Sequence, residues 1–259
     1  MIGAIVGDIV GSVYEFNNIR TKQFPLITKQ NHYTDDTIMT IAIMEWLLNT
    51  NSSVVKCLQK WGRKYKSSYG STFNWWLNQD NPEPYWSFGN GAAMRISATA
   101  YAAKNMAELK SLVFRATAVT HDHPEGIKGA LVTATCIFLA LHKASKEKIK
   151  EYAISQYPEI EYMNYEWLRR NYLFDESCQN TVPQAIYCFL ISDSFEDCIR
   201  TTISIGGDCD TTAAISGAIA DAYYGIPKNI QDVCLSKLPL DMKQVIKKFA
   251  DKLNKEQKN

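Results

Sequence analysis

Long apolar runs are missing from this sequence: none reaches the roughly 18 residues that a membrane-crossing helix needs. Period-two alternation is scarce, which argues against a fold built on sheets. Charge of one sign is not in excess, since the 259 residues carry a formal net charge of +1. A broad electrostatic footprint for nucleic acid or an anionic membrane is therefore excluded. There is no fixed-period repeat, low-complexity tract or Gly/Ser linker to mark a domain boundary. Cysteine and histidine never take zinc-site spacing. The start, Met1-Ile2-Gly3-Ala4-Ile5-Val6-Gly7-Asp8, has no basic leader and meets an acid too early for a signal-peptide core.

What is present is enough apolar residue, 46% of the chain, to bury a substantial core. Helical periodicity covers most of it. Leu109, Leu112, Val113 and Ala116 follow i, i+3, i+4, i+7 spacing, and Ile127, Leu131, Ala134, Phe138 and Leu141 form a second such face. Further helices are expected over Ile38–Leu48, Val54–Tyr65, Gly91–Ala103, Lys146–Gln156, Val182–Leu190, Phe195–Ile203, Ala213–Tyr224 and Met242–Leu253. Gln23–His32 reads as a surface loop, and Met163–Gln179 fits no element. The expectation is an all-α fold, a single compact multi-helix domain over residues 1–259 with roughly its last six residues frayed. The lysines near that end, among them Lys243, Lys247, Lys252 and Lys258, read as a solvated helix face. Seven cysteines, odd in number and scattered through apolar segments, suit reduced thiols and a cytoplasmic protein.

Chemistry concentrates in Ile205-Gly206-Gly207-Asp208-Cys209-Asp210-Thr211-Thr212. Two carboxylates in an apolar run repel each other and lose hydration, so they call for a cation or a full set of hydrogen bonds. Side chains at i and i+2 diverge on a helix, so Asp208 and Asp210 are expected to converge outside one, with Thr211 or Thr212 starting the helix that follows. Cys209 should point away. An isolated Asp-x-Asp-Thr reads first as a helix cap. Tyr33-Thr34-Asp35-Asp36-Thr37 repeats the composition before another helix, and the two clusters read as a pair. Oxygen donors from Thr34, Asp35, Asp36, Asp208, Asp210 and Thr211 would suit Mg²⁺ or Mn²⁺.

Three other segments carry polar groups in telling places. Gly7-Asp8-Ile9-Val10-Gly11 leads to Glu15; on one continuous helix Asp8 and Glu15 would share a face, although Asp8 alone reads as solvated. Ser87-Phe88-Gly89-Asn90-Gly91 turns into a small-residue helix, and its amides and helix end offer a phosphate site, with Phe88 and Trp86 as stacking faces. In Thr120-His121-Asp122-His123-Pro124-Glu125-Gly126, either histidine could donate to a phosphate or sugar oxygen while Asp122 or Pro124 starts the helix.

Taken together and in order, these motifs resemble the ADP-ribosylglycohydrolase family, which includes the dinitrogenase reductase activating glycohydrolase and the ADP-ribosyl-acceptor hydrolases. The resemblance spans residues 3 to 225. It implies an all-α fold with two Mg²⁺ or Mn²⁺ ions, hydrolysing an N- or O-glycosidic bond to ADP-ribose. Thr34, Asp35 and Asp36 match one ligand set, and Asp208, Asp210 and Thr211 the other. Glu15 matches the first-motif glutamate near the metals and the distal ribose, and is expected with Asp35, Asp36 and Asp208 to carry catalysis. Ser87, Phe88, Gly89, Asn90 and Gly91 match the segment holding the diphosphate and nucleoside. His123 matches a histidine near the phosphates. The implied partner is an ADP-ribosylated protein, with arginine as the first acceptor by analogy with the bacterial branch, and the protein is expected to act as a monomer. Terpenoid synthases, which also hold a diphosphate with Mg²⁺, fit less well, because Met39 and Thr40 occupy the positions where a further acid is needed. A non-catalytic ADP-ribose-binding module, or a hydrolase of serine or other linkages, is the alternative.

Overall fold

A helix that is apolar on every side belongs at the centre of its fold. In the computed structural model, which describes residues 1–256, that place falls to α1 (Ile2–Gly11), all of whose residues are buried, and to α13 (Cys209–Tyr224). Around them come α2 (Asp35–Leu48), α3 (Val54–Lys64), α4 (Ser71–Leu77), α5 (Gly91–Met94), α6 (Ser97–Ala102), α7 (Met106–Thr117) and α8 (Pro124–Leu141). The chain continues through α9 (Lys146–Gln156), a 3-10 turn (Pro158–Tyr162), α10 (Tyr165–Asn171), α11 (Cys178–Leu190), α12 (Phe195–Ser204), α14 (Lys228–Ser236) and α15 (Leu240–Glu256). Among the described residues there is no strand, only an isolated bridge between Gly89 and Ser177. The fold is all-α, as expected.

The two central helices touch through glycine. Gly3, Gly7 and Gly11 lie one above another on α1, and a Cβ on them would come within 2.1 Å of Gly217 O, 2.0 Å of Ala213 O and 2.4 Å of Asp210 Cα. The backbones of α1 and α13 are thus in direct contact along their length, which places the end of α1 beside the start of α13. Helices α12, α11 and α8 pack around α13, while α2 packs against α1 and carries α3, α6 and α15 on its outer side. One continuous apolar cluster, with Trp46, Trp76, Phe189, Phe195 and Phe249 fully buried, joins these layers.

Several boundaries differ from those the sequence suggests. Helix α2 begins at Asp35, three residues before Ile38, because Thr34 caps it and accepts from Asp36 N. Helix α13 begins at Cys209, so Asp210 stands inside its first turn, with Asp208 as the cap residue. The expected helix Gly91–Ala103 is broken at Arg95-Ile96, where the Arg95 side chain turns inward to the carbonyl of Ala116. Helix α11 starts four residues before Val182 and contains Pro183. The unplaced segment Met163–Gln179 contains α10, capped by Asn164, and α4 and α14 carry no strong signal. Gln23–His32 is a loop, yet its Asn31 is buried, donating to Ile9 O and Val10 O at the end of α1. Helix α8 is the one helix among the described residues long and apolar enough to cross a membrane, although Glu125 and Lys128 interrupt its apolar run; 61% of it is buried against its neighbours. Helix α15 runs to Glu256, so residues 254–256, expected to fray, are helical; 257–259, including Lys258, lie outside the described residues. All seven cysteines are free thiols.

Candidate metal centre and cleft

Asp8 is the first surprise of the site. It is fully buried rather than solvated, and it accepts from Thr34 N, Thr34 Oγ1 (2.8 Å), Thr37 N (3.0 Å) and the Thr37 hydroxyl. Those donors satisfy the carboxylate and fix the N-terminus of α2 to α1. Because α1 ends at Gly11, Glu15 does not share a helical face with Asp8; it sits on the turn beyond, and together they do not line the same space.

The second carboxylate segment is held by a turn that requires glycine. Gly206 and Gly207 have φ of +72° and +79°, the left-handed region, and link α12 to α13. Asn18 clasps this turn: its Oδ1 accepts from Gly207 N at 2.7 Å, and its Nδ2 donates to Gly207 O (2.9 Å), Tyr14 O (2.7 Å) and Glu15 O (3.0 Å). Arg20 donates to Ile205 O and to Tyr172 O. Glu15 and Asp208 are in this way tied through one amide side chain. Carboxylate oxygens of Glu15, Asp208 and Asp210 lie within 4.8 Å of one another. Asp208 and Asp210 converge because the cap residue Asp208 has left helical geometry, although Asp210 has not. Cys209 points away, toward Asn18 and Ile203 O.

The α2 acids meet this group. Thr211 Oγ1 donates to Asp36 Oδ2 at 3.1 Å, Asn90 Nδ2 donates to Asp208 Oδ2 at 2.6 Å, and Ser67 Oγ donates to Asp35 Oδ1 at 3.2 Å. Asp36 Oδ1 is buried with no hydrogen-bond partner. Burial, followed by the Asp210 charge, pushes Asp35 up to about 6 and Glu15 up to about 8, and raises Asp36 and Asp208 well above the usual carboxylate range. Asp8 rises to about 7 for the same two reasons, against the pull of its threonine donors. Carboxylates so crowded, with one oxygen left bare, form a donor set that a hard cation fits.

Glu15, Asp35, Asp36, Asp208 and Asp210 line a cleft of about 850 Å³. Of the residues expected from the sequence, Glu15, Asp35, Asp36, Asp208, Asp210, Thr211 and the run Ser87 to Gly91 line it. Thr34 and His123 do not. Thr34 directs its hydroxyl to Asp8, and His123 caps α8, accepting from Glu125 N at 3.1 Å between the Trp86 and Phe88 rings. His121 lines the cleft instead, beneath Gly89 and Gly91. The helix after Gly91 is one turn long, and two amides of the turn are already engaged, Gly89 N by Ser87 Oγ and Asn90 N by Glu176 O. Residues 174–177, unplaced from sequence, also line the cleft, and Cys178 N donates to Phe88 O across the bridge. Asn18, Tyr85 and Glu176 carried no signal in the sequence, since their partners are far along the chain. A second depression, lined by Lys22, Phe24, Asp197 and Arg200, has its charges paired: Lys22 with Asp197 at 2.6 Å and Arg200 with Glu196 at 2.8 Å.

With this geometry in view, comparison with known proteins is direct. The sequence model of the family described as ADP-ribosylglycohydrolase matches residues 1–259. ADP-ribosylhydrolase ARH3 of Mus musculus is 27% identical, covering 90% of this chain and 86% of the relative. The ADP-ribosyl-[dinitrogen reductase] glycohydrolase of Rhodospirillum rubrum is 26% identical, covering 97% and 93%. ADP-ribosylarginine hydrolase Tri1 of Pseudomonas putida (strain GB-1) is 24% identical, covering 98% and 76%. A solved structure titled ADP-ribosylglycohydrolase-related protein complex has the same fold, with a TM-score of 0.70 at 23% identity, over 96% of this chain and 95% of that one.

Proposed function

Since the chain belongs to the ADP-ribosylglycohydrolase family, a hydrolase of glycosyl bonds, we propose that it removes ADP-ribose from arginine side chains of modified proteins. The observation that carries this reading is the oxygen-only group of Glu15, Asp208 and Asp210 in the cleft, with Asp36 Oδ1 bare among the acids that line it. Asp35, Asp36, Asp208, Asp210 and Thr211 would hold two Mg²⁺ or Mn²⁺ ions, whereas Thr34, its hydroxyl turned to Asp8, drops out of the expected ligand set. When bound, such ions neutralise the crowded acids, bind sugar hydroxyls and acidify water.

The chain's own groups do the rest. Cleavage at the anomeric carbon passes through an oxocarbenium-like state, which gains from nearby negative charge and from a base that takes a proton from water. Glu15 is suited to the second task, because it is half-buried on the turn facing the acids and is not tied by a hydrogen bond of its own carboxylate to a described residue. Asn90 orients Asp208, and Ser67 orients Asp35. Phe88, exposed at the cleft, would offer a face to the base of ADP-ribose, and His121, which lines the cleft where His123 does not, would meet its phosphates. Arginine is favoured as acceptor by charge: Asp175 and Glu176 add to the acids on the walls, and Arg95 is the one lysine or arginine among the described residues lining the cleft. The name of the Pseudomonas putida relative points the same way.

The test is release of free ADP-ribose from arginine- and serine-linked ADP-ribosyl peptides, with Mg²⁺ or Mn²⁺, with EDTA, and with Asp35→Ala. Metal-dependent release from the arginine peptide, abolished by the substitution, is expected. Release only from the serine peptide would move the acceptor. Tight ADP-ribose binding without release from either would leave a binding module.

A further inference from the structure

Arg95 is buried, yet no carboxylate among the described residues meets it. Its Nη2 donates to Ala116 O at 3.1 Å and to Thr120 Oγ1 at 2.7 Å. A guanidinium has only donors. Thr120 Oγ1 is therefore the acceptor in that bond, and its single hydrogen remains for another partner. Two acceptors lie within reach, His121 Nδ1 at 2.7 Å and Thr117 O at 3.4 Å. The shorter contact favours donation to Nδ1, although the oxygen's second lone pair could also take a proton from Nδ1 and leave the hydroxyl hydrogen for Thr117 O.

A ring nitrogen that accepts is unprotonated, and in a neutral imidazole the proton then sits on Nε2. Burial, and after it the Arg95 charge, hold His121 well below its ordinary range, which keeps the ring neutral. Nε2 lies against the turn that walls the cleft: a Cβ on Gly89 or Gly91 would stand 3.5 or 3.3 Å from it. Glycine at both positions leaves that nitrogen open to a ligand. The sidedness of the ring, one nitrogen taken by a hydroxyl and the other facing the cleft, is set through Thr120 by the Arg95 guanidinium.

We propose that Arg95 and Thr120 are positioning residues that fix His121 as a neutral Nε2–H donor aimed at a diphosphate oxygen of ADP-ribose. The ligand half of this assignment rests on the ADP-ribose reading of the cleft; the tautomer does not. Long-range ¹H–¹⁵N spectra of the histidine rings in the full-length protein give the tautomer, and titration with ADP-ribose gives affinity. In the parent protein His121 should carry its proton on Nε2. Thr120→Val, nearly isosteric, should give mixed tautomers and weaken ADP-ribose binding about tenfold, the worth of one ordinary hydrogen bond. Thr120→Ser should restore both, and Arg95→Leu, which frees the hydroxyl to turn, should again mix the tautomers. A parent His121 protonated on Nδ1 overturns the proposal even if every variant fails to fold, and so does a folded Thr120→Val that binds ADP-ribose like the parent. A parent protein that does not bind ADP-ribose, yet shows the Nε2 tautomer, would remove the reading of the cleft and with it the ligand assigned here.

Discussion

Adding one methyl group at Gly11 tests whether the packing of α1 on α13 sets the geometry of the metal centre. A Cβ there would stand 2.4 Å from Asp210 Cα and 2.7 Å from Asp210 N, while ordinary contact begins at 3.4 Å, so the helices must part by 3.4 − 2.4 = 1.0 Å at the residue that bears a ligand. Neither obstacle is a side chain that can swing aside. Gly3→Ala is the control, because its Cβ meets Gly217 O at 2.1 Å and demands 3.4 − 2.1 = 1.3 Å at the opposite end of the same seam. Overpacking of this kind costs about 1–3 kcal/mol, and both variants should melt several degrees lower, at about 2–4 °C per kcal/mol. Only Gly11→Ala should also lose turnover, on the order of 100-fold for a displacement of about 1 Å at a reacting centre. Thermal melts, Mn²⁺ titration and ADP-ribose release measured side by side separate the two effects. A Gly11→Ala protein that melts lower yet binds Mn²⁺ and turns over within about twofold of the parent would refute the link.

Asn18→Ala should weaken Mn²⁺ binding by about 10- to 100-fold, as loss of a group that orients a ligand does; because Asn18 is exposed, the melting point should move little, and unchanged Mn²⁺ affinity would count against the clasp. Gly207→Ala combines a φ of +79° with a Cβ 2.4 Å from Tyr172 Cε1, so a loss of at least 1–2 kcal/mol is expected in denaturant titration, together with weaker metal binding. In metal-free protein, Asp8, Asp35 and Glu15 have folded values raised to about 7, about 6 and about 8, above their usual 3.8, 3.8 and 4.5. The fold therefore favours their protonated forms: the stability is fully present below about pH 4 and is lost as pH rises through 6 to 8. Melting points in EDTA should fall across that window while Mg²⁺ restores them increasingly, since binding requires the ionised acids; a flat profile in EDTA would contradict the shifts.

The two acidic clusters were legible because charge interrupting an apolar run is costly wherever it lands, and Thr34 and Gly206-Gly207 announce a cap and a turn. Their exact placement was not, since Asp35, Asp36 and Asp210 are equally at home before a helix and in its first turn, where acids favour the dipole. Asp8 looked solvated because its donors, Thr34 and Thr37, lie 26 and 29 residues away in sequence. The break at Arg95 has no proline or glycine to mark it, only an arginine whose partner belongs to another helix. Between His121 and His123 the residues themselves left both open and the resemblance picked His123; in the structure His121 faces the cleft and His123 caps a helix, a difference that two residues of spacing across a turn decide. Asn18 could not have been found from its own surroundings, because what it holds is made 189 residues later.

The seam between α1 and α13 also bears on how the chain is made. Every residue of α1 is buried in the finished fold, against a partner that begins 209 − 2 = 207 residues downstream. At a synthesis rate of about 5–20 residues per second, that segment waits about 10–40 seconds before its partner exists. For that interval the most apolar helix in the protein stands without its cover, and the carboxylates that depend on the pairing cannot converge. Growth temperature and chaperone supply should therefore govern the yield of folded protein, through the time this first segment is left exposed on the ribosome.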